Sequence, residues 1–215
     1  MSELPLFPLN SVLFPGTPLS LHIFEERYKL MIRRCIDVNE PFGVVLIKSG
    51  SEVGRVAVPH MIGCSALITE VESLDGGRMN ITAVGMERFR ITAFEHNQPY
   101  LVGRIEEYPM PIERPQVIRQ SGRLLRPWIG RYLGMLEQSE KVQVDVKDLP
   151  RDSLGLAYYA AALLRTTLTQ KQDLLTAASA DLFVEAIRAL YRKEVALYEA
   201  ILRHHHGQEA RFSLN

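Results

Sequence analysis

The stretch Val12–Ile32, VLFPGTPLSLHIFEERYKLMI, changes its grammar part-way along. Pro15-Gly16 suits the central pair of a type II turn, because proline presets the first φ and glycine accepts the positive second one. A short apolar run follows and carries His22. From Glu25 onward, Tyr28, Met31, Ile32, Cys35 and Ile36 recur at helical steps on one face. Glu25 and Glu26 fall in the expected first turn and Arg33 and Arg34 in the expected last turn, the arrangement that opposes the helix dipole. The stretch therefore predicts a turn, a strand and an amphipathic helix in succession. A metal-binding His-x-x-Glu would need His22 on the same helical face as its carboxylate, with a third ligand nearby. Here His22 precedes the helix, so His22, Glu25 and Glu26 are assigned structural roles.

Working outward, the 215 residues are 47% hydrophobic and 23% charged, which suits one large or two small globular domains. Lys plus Arg and Asp plus Glu both total 25, so the net charge is zero and nothing favours counterion-driven binding to nucleic acid or an anionic membrane. Cys35 and Cys64 form no Cys-x-x-Cys pair and signal neither a disulfide framework nor a zinc site. The N-terminus lacks the basic and apolar regions of a signal peptide, and Leu154–Leu164 is too short to span a bilayer. A reducing cytoplasm is the expected compartment, with no membrane partner.

An α+β fold follows from one change of period along the chain. Before the proline cluster Pro109, Pro111 and Pro115, short β-type runs alternate with turns. Phe42–Ile47 is continuously apolar, and Ser65–Leu74 and Arg78–Val84 flank Asp75-Gly76-Gly77 as a hairpin. Phe89, Ile91 and Ala93 alternate against Arg88, Arg90 and Thr92, which sends the arginines outward. Residues 1–112 thus read as a β-rich, mostly antiparallel sheet or small barrel with one helix, and residues 113–215 as a helical bundle. In the second part Leu124, Leu125, Trp128, Ile129, Tyr132 and Leu136 recur at helical steps, and Pro127 should kink or restart that helix. Residues 156–164 are apolar all round, as in a central buried helix. Thr169 and Gln172 suit a capping box, and a last helix runs from about Ser179 to Arg203.

Most remaining singular residues have structural readings. Cys35 and Cys64 read as buried thiols, Trp128 as a core anchor, and Gly130 with Gly134 as a place where a neighbouring helix approaches closely. His204–His206 point in different directions at a helix end and suggest adventitious metal binding rather than catalysis. Arg114, Arg119, Arg123 and Arg126 recur near a helical spacing, the feature a nucleic-acid-binding reading would rest on. Apolar Tyr108–Ile112, YPMPI, lies where the period changes, and loops at such junctions carry binding sites.

The opening stretch closely resembles the start of the Lon protease N-terminal, substrate-binding domain family. The resemblance is carried by LPLFPL at Leu4–Leu9, VLFPG at Val12–Gly16, LHIFE at Leu21–Glu25 and Arg27-Tyr28. It continues through Gly63 and the strand after it, GMERFRI at Gly85–Ile91 and, more loosely, KQDLL at Lys171–Leu175. Glu26 stands where the family often has proline, and Cys64 where threonine is common. The resemblance implies a PUA-like, pseudo-barrel β domain followed by a helical bundle. It also implies a stand-alone Lon-domain protein, since no G-x-x-x-x-G-K-[ST] phosphate loop occurs in the 215 residues. The expected function is that of a non-catalytic module, without cofactor or metal, that binds exposed apolar polypeptide segments or a partner protein. Tyr108, Met110 and Ile112 are the candidate polypeptide-binding residues. The alternative is an RNA-binding PUA-like protein, which the balanced charge disfavours.

Overall fold

The computed structural model describes residues 2–50, 57–140 and 149–212, with side chains for 2–50, 57–137 and 149–200. The chain packs as two compact units, Met1–Pro111 with Ala161–Ala178, and Ile112–Ala160 with Ser179–Asn215. By packing, therefore, the late segment Ala161–Ala178 keeps company with the β-rich part.

The first unit holds β1 (Ser2–Leu9), β2 (Pro18–Ile23), α1 (Glu26–Val38), β3 (Phe42–Ser49), β4 (Val58–Pro59), β5 (Ile62–Ser73), β6 (Met79–Glu95) and β7 (Val102–Glu107). The sheet runs β1-β7-β6-β5-β3, and a parallel β1–β3 pairing closes it. The other pairings are antiparallel; β2 adds to β6 and β4 to β3. The α+β class and the β-rich, pseudo-barrel character read from the sequence hold.

The lumen of the barrel is filled by Leu4, Leu6, Val45, Phe89 and Ile91. The wall positions Gly43 and Gly63 are among those that must then lack a side chain. A Cβ on Gly43 would come within 2.7 Å of Phe89, and one on Gly63 within 2.4 Å of the Val44 carbonyl. A second, larger core lies between the sheet and α1, where Phe7, Ile23, Tyr28, Met31, Ile32, Phe42, Ile81 and Ala83 meet. Strand β6 serves both cores. Opposite Ser65 it carries the two residues Met86 and Glu87, a bulge that Ser65 Oγ stitches by donating to the Glu87 carbonyl and accepting its N–H, both at 3.2 Å. Met79, Ile81 and Ala83 before the bulge face the α1 core, and Phe89 and Ile91 after it face the lumen.

Pro15-Gly16 turns as expected: Gly16 has φ 73° and the Thr17 N–H donates to the Phe14 carbonyl at 3.2 Å. The Asp75-Gly76-Gly77 connection also joins β5 and β6 as expected. Helix α1 departs from its expected ends. Glu25 is the N-cap residue, and the helix continues to Val38, where Asn39 at φ 52° ends it while the Glu40 N–H donates to the Cys35 carbonyl at 3.0 Å. Arg33 and Arg34 consequently lie above the last turn. Lys29, 9% exposed at its side chain, bridges Glu26 at 2.7 Å and the Gly76 carbonyl at 2.9 Å. That ammonium holds the Glu26 carboxyl below the usual carboxylate range.

The second unit contains α2 (Pro115–Glu140), most of α3 (Ser153–Leu163) and α5 (Ala180–Phe212); α4 (Leu168–Leu175) falls in the first. Helix α2 passes through Pro127 without restarting. Its Leu125, Ile129, Tyr132 and Leu136 are buried with Phe183, Ile187, Tyr191 and Val195 of α5, whereas Leu124 and Leu197 are exposed. Tyr132 meets Tyr191 edge to face at 5.3 Å, and the Tyr191 hydroxyl donates to the Ala160 carbonyl at 3.0 Å. Helix α3 is the buried apolar helix expected, with Leu156, Ala157 and Ala160 at or near zero exposure.

Three expectations about the helices are corrected. A Cβ on Gly130 or Gly134 would meet no neighbour within 4 Å among the described residues; Gly122 is the close-approach glycine, since a Cβ there would come within 2.5 Å of Ser153 Oγ. Trp128 is half-buried beneath the Arg131 guanidinium, 5.5 Å from its ring, and the core places are taken by its neighbours. The capping box lies two residues earlier than expected. Thr167 caps α4 by accepting from the Gln170 N–H, and the Gln170 side chain accepts from the Thr167 N–H. Gln172 is buried and donates to the Ile62 carbonyl at 2.9 Å.

Candidate functional site

The run Tyr108–Ile112 separates into residues with different roles. Tyr108 follows β7, and its ring lies under two guanidinium groups, Arg88 at 4.6 Å and Arg90 at 4.5 Å. Its N–H donates to the Arg88 carbonyl at 3.0 Å and its hydroxyl to the Thr176 carbonyl at 3.4 Å. It is half-buried and fully engaged. Met110 is half-buried, while Ile112, which opens the second unit, is 47% exposed.

Arg88 itself is 4% exposed, contrary to the outward position that strand alternation assigns it. Its Nη1 donates to the carbonyls of Leu175 at 2.6 Å and Ala177 at 2.9 Å, and its Nη2 to that of Pro109 at 3.0 Å. Two of these acceptors lie at the C-terminal end of α4, where helical carbonyls lack intrahelical partners and cations are favoured. Arg88 therefore fastens α4 and the Tyr108 loop onto β6. Arg90, on the outside, pairs with Glu106 at 3.0 Å.

Ile112 lines an open groove of about 580 Å³ within the second unit. Helix α2 lines one side with Pro115, Ile118 and Gly122, and α3 lines the other with Ser153, Leu154 and Leu156. Arg119, Arg123, Arg126 and Arg151 line it as well, with Asp152 as the single acidic residue. Asp152 is occupied in capping α3: its Oδ1 accepts the Gly155 N–H at 2.6 Å. Arg126 donates to the Pro150 carbonyl at 2.6 Å, which fixes the chain entering α3. Among the described residues, Arg119, Arg123 and Arg151 have no ion-pair partner.

Arg114, the first of the helically spaced arginines, does not join them. It pairs through Nε with Asp181 Oδ1 at 3.1 Å, and Asp181 Oδ2 accepts the N–H groups of Glu113 at 3.1 Å and Arg114 at 3.3 Å. Asp181, 2% exposed at its side chain, thus anchors the start of α2. Sequence spacing pointed to three of the groove arginines; Arg151 and the apolar floor from α3 had no local signal.

His22 is exposed on β2, 2.7 Å from Asn80 Oδ1 through Nδ1, and Asn80 donates to Glu72 at 2.7 Å. Its ring stacks loosely on Phe24. These contacts cross-link β2, β6 and β5 side by side, a structural role. Among the described residues no group of three or more His, Cys, Asp or Glu could hold a metal ion. The side chains of His204–His206 lie outside the described residues. Both cysteines are buried, and burial pushes the Cys35 thiol up to about 11 and the Cys64 thiol to about 12. No helix among the described residues is long and apolar enough to cross a membrane.

Comparison with known proteins places this architecture. Residues 3–193 match the family model described as the ATP-dependent protease La (LON) substrate-binding domain. The Lon protease of Escherichia coli K12 is 25% identical over 204 residues, covering 92% of this chain and 25% of that protein. Lon protease 2 of Sorangium cellulosum is 22% identical over 199 residues, again 25% of its length. The chain thus spans about a quarter of the length of these relatives. Among solved structures, a Lon N-terminal domain protein from Xanthomonas campestris superposes with a TM-score of 0.62 at 24% identity, covering 88% of this chain and 98% of that one. The N-terminal domain of the Mycobacterium avium complex Lon protease gives 0.64 at 16% identity over 89% and 98%. With the family model matched over most of the chain and the fold shared, the chain belongs to the LON substrate-binding domain family.

Proposed function

We propose that this chain is a non-catalytic, cytoplasmic recognition module that binds exposed apolar segments of polypeptides, unfolded or belonging to a partner protein. Membership of a substrate-binding family is the observation that carries this reading. Within the second unit, Ile112 is the proposed polypeptide contact, supported by its exposure on the wall of a groove floored by Ile118, Leu154 and Leu156. Tyr108 and Met110 are proposed contacts of the first unit. Apolar side chains seated in such a groove are held by burial, at roughly 25 cal/mol per Å² removed from water.

The test is a titration of a fluorescently labelled, reduced and denatured protein against the purified chain. Parent protein should bind it, and Ile112→Asp should weaken binding at least tenfold while leaving the helical circular dichroism unchanged, because Ile112 is exposed. Undiminished binding by the variant would remove the groove from the reading. No ATP hydrolysis or casein degradation should accompany binding, with or without magnesium; turnover abolished by a point substitution in this chain would overturn the non-catalytic assignment. The nucleic-acid alternative has the groove arginines in its favour, but the lining contains no aromatic ring on which a base could stack.

A further inference from the structure

We infer that the groove between α2 and α3 selects apolar polypeptide segments that also carry carboxylates, with Arg119, Arg123 and Arg151 as the acid-recognising groups. This selectivity rests on the polypeptide-binding reading above and names its substrate class.

Four arginines and one carboxylate line a single groove in a chain whose formal charges cancel overall. The carboxylate is committed to the α3 N-terminus and Arg126 to the Pro150 carbonyl. Arg119, Arg123 and Arg151 are exposed and without ion-pair partners among the described residues. Arg119 and Arg123 stand one helical turn apart on α2, neighbours on its surface, and Arg151 lines the same groove from the segment that enters α3. Guanidinium groups spaced in this way suit carboxylates, which they bind through paired N–H···O bonds.

Between the charges the floor is aliphatic, from Ile112, Pro115, Ile118, Leu154 and Leu156. A ligand that matches both features presents apolar side chains next to Asp or Glu, as an acidic amphipathic segment does. A nucleic acid would satisfy the arginines and leave the aliphatic floor uncovered. A neutral apolar segment would cover the floor and leave the guanidinium groups without counter-charges.

Three labelled peptides of equal length and equal leucine content, with polar positions filled by Asp, Gln or Lys, test the assignment against the full chain. The Asp peptide should bind about fivefold tighter than the Gln peptide at low salt, the gain expected from two exposed ion pairs, and the Lys peptide weakest. The advantage of the Asp peptide should shrink as salt is raised towards about 0.5 M, where charges are screened. It should fall below about twofold in the Arg119→Gln/Arg123→Gln variant, which keeps Arg151, with the Gln peptide bound as before. Arg151→Gln, made separately in the segment that enters α3, should reduce it by about half and guards against a folding defect in the double variant.

Equal binding of the Asp and Gln peptides overturns the charge inference while leaving polypeptide binding intact. Failure of every peptide to bind overturns the functional reading beneath it. A single-stranded RNA that outcompetes the Asp peptide, and loses affinity in the same arginine variants, makes the groove a nucleic-acid site and overturns the inference also.

Discussion

Replacing Arg88 by methionine should unfasten α4 from the β unit. The substitution keeps much of the apolar stem and deletes the guanidinium, leaving the carbonyls of Leu175, Ala177 and Pro109 without their donor. A buried acceptor left unsatisfied costs about 1–3 kcal/mol. The three do not add fully, because only the Leu175 bond is buried and the part-buried Ala177 and Pro109 carbonyls can turn to water, so the net loss should be about 3–5 kcal/mol. The cation resting over Tyr108 adds about 0.5–1 kcal/mol that is lost with it. At about 3 °C per kcal/mol for a unit of this size, the melting transition of the β unit should fall by roughly 10–18 °C.

Arg88→Lys discriminates charge from geometry. One ammonium cannot reach carbonyls on both sides of a planar fork, so lysine should recover about half the loss. Differential scanning calorimetry measures the shift, and hydrogen exchange locates it: amides of Leu168–Thr176 should lose protection before those of β3 or β5. An Arg88→Met protein that melts within about 2 °C of the parent, with those amides equally protected, would refute the claim that Arg88 holds the segment.

Asp181→Ala should lower the stability of the helical unit by about 2–4 kcal/mol, since two N–H groups and Arg114 lose one buried acceptor, with Asp181→Asn losing less; urea unfolding followed by Trp128 fluorescence reads it, and a loss under about 0.5 kcal/mol would remove the anchor role. Tyr28→Ala should cost about 3–5 kcal/mol in the β unit, because Tyr28 is 4% exposed and stacks on Phe7 at 4.0 Å; calorimetry checks it. The thiols predict an alkaline effect: folded pKa values of about 11 and 12 lie above the unfolded value near 8.5, so the native state holds more protons than the unfolded state there. Stability owed to the two neutral thiols should be intact below about pH 8 and decline as pH rises from about 9 towards 11, at about 1.4 kcal/mol per pH unit for each cysteine. Cys35→Ala should flatten that decline, and iodoacetamide should leave both thiols of the folded protein unmodified at pH 8.

Local chemistry made some elements readable and distance hid others. The Pro15-Gly16 and Asp75-Gly76-Gly77 turns were legible because positive φ is a local demand, met by Gly16 at 73°, Gly76 at 71° and Gly77 at 69°. Helix α3 was legible because no solvated face has to be found for it. The capping box is ambiguous in sequence because Thr167 and Thr169 are followed at the same spacing by Gln170 and Gln172. Only packing separates the two pairs: the Gln172 side chain is drawn to the Ile62 carbonyl, 110 residues away in sequence. Strand alternation misleads at Arg88 for a related reason. Alternation correctly put it on the face opposite Phe89, but the step from that face to solvent fails when residues 87 positions later fold over it.

The same distinction governs the groove. Arg114, Arg119, Arg123 and Arg126 share a helical spacing, and spacing alone gives them equal standing. Asp181, 67 residues on, takes Arg114 out of the set, while Arg151 enters it from beyond the helix. Charge balance over the whole chain concealed the result, because a sum of zero is equally compatible with even mixing and with four arginines gathered around one occupied carboxylate. The apolar run at Tyr108–Ile112 was conspicuous in composition, yet composition could not divide it. Tyr108 lies under two guanidinium groups, whereas Ile112 stands half-exposed at the groove. A side chain already engaged by both guanidinium groups must break contacts before it can meet a ligand, while an exposed isoleucine loses only water, and this difference makes Ile112 the sharper place to test polypeptide binding.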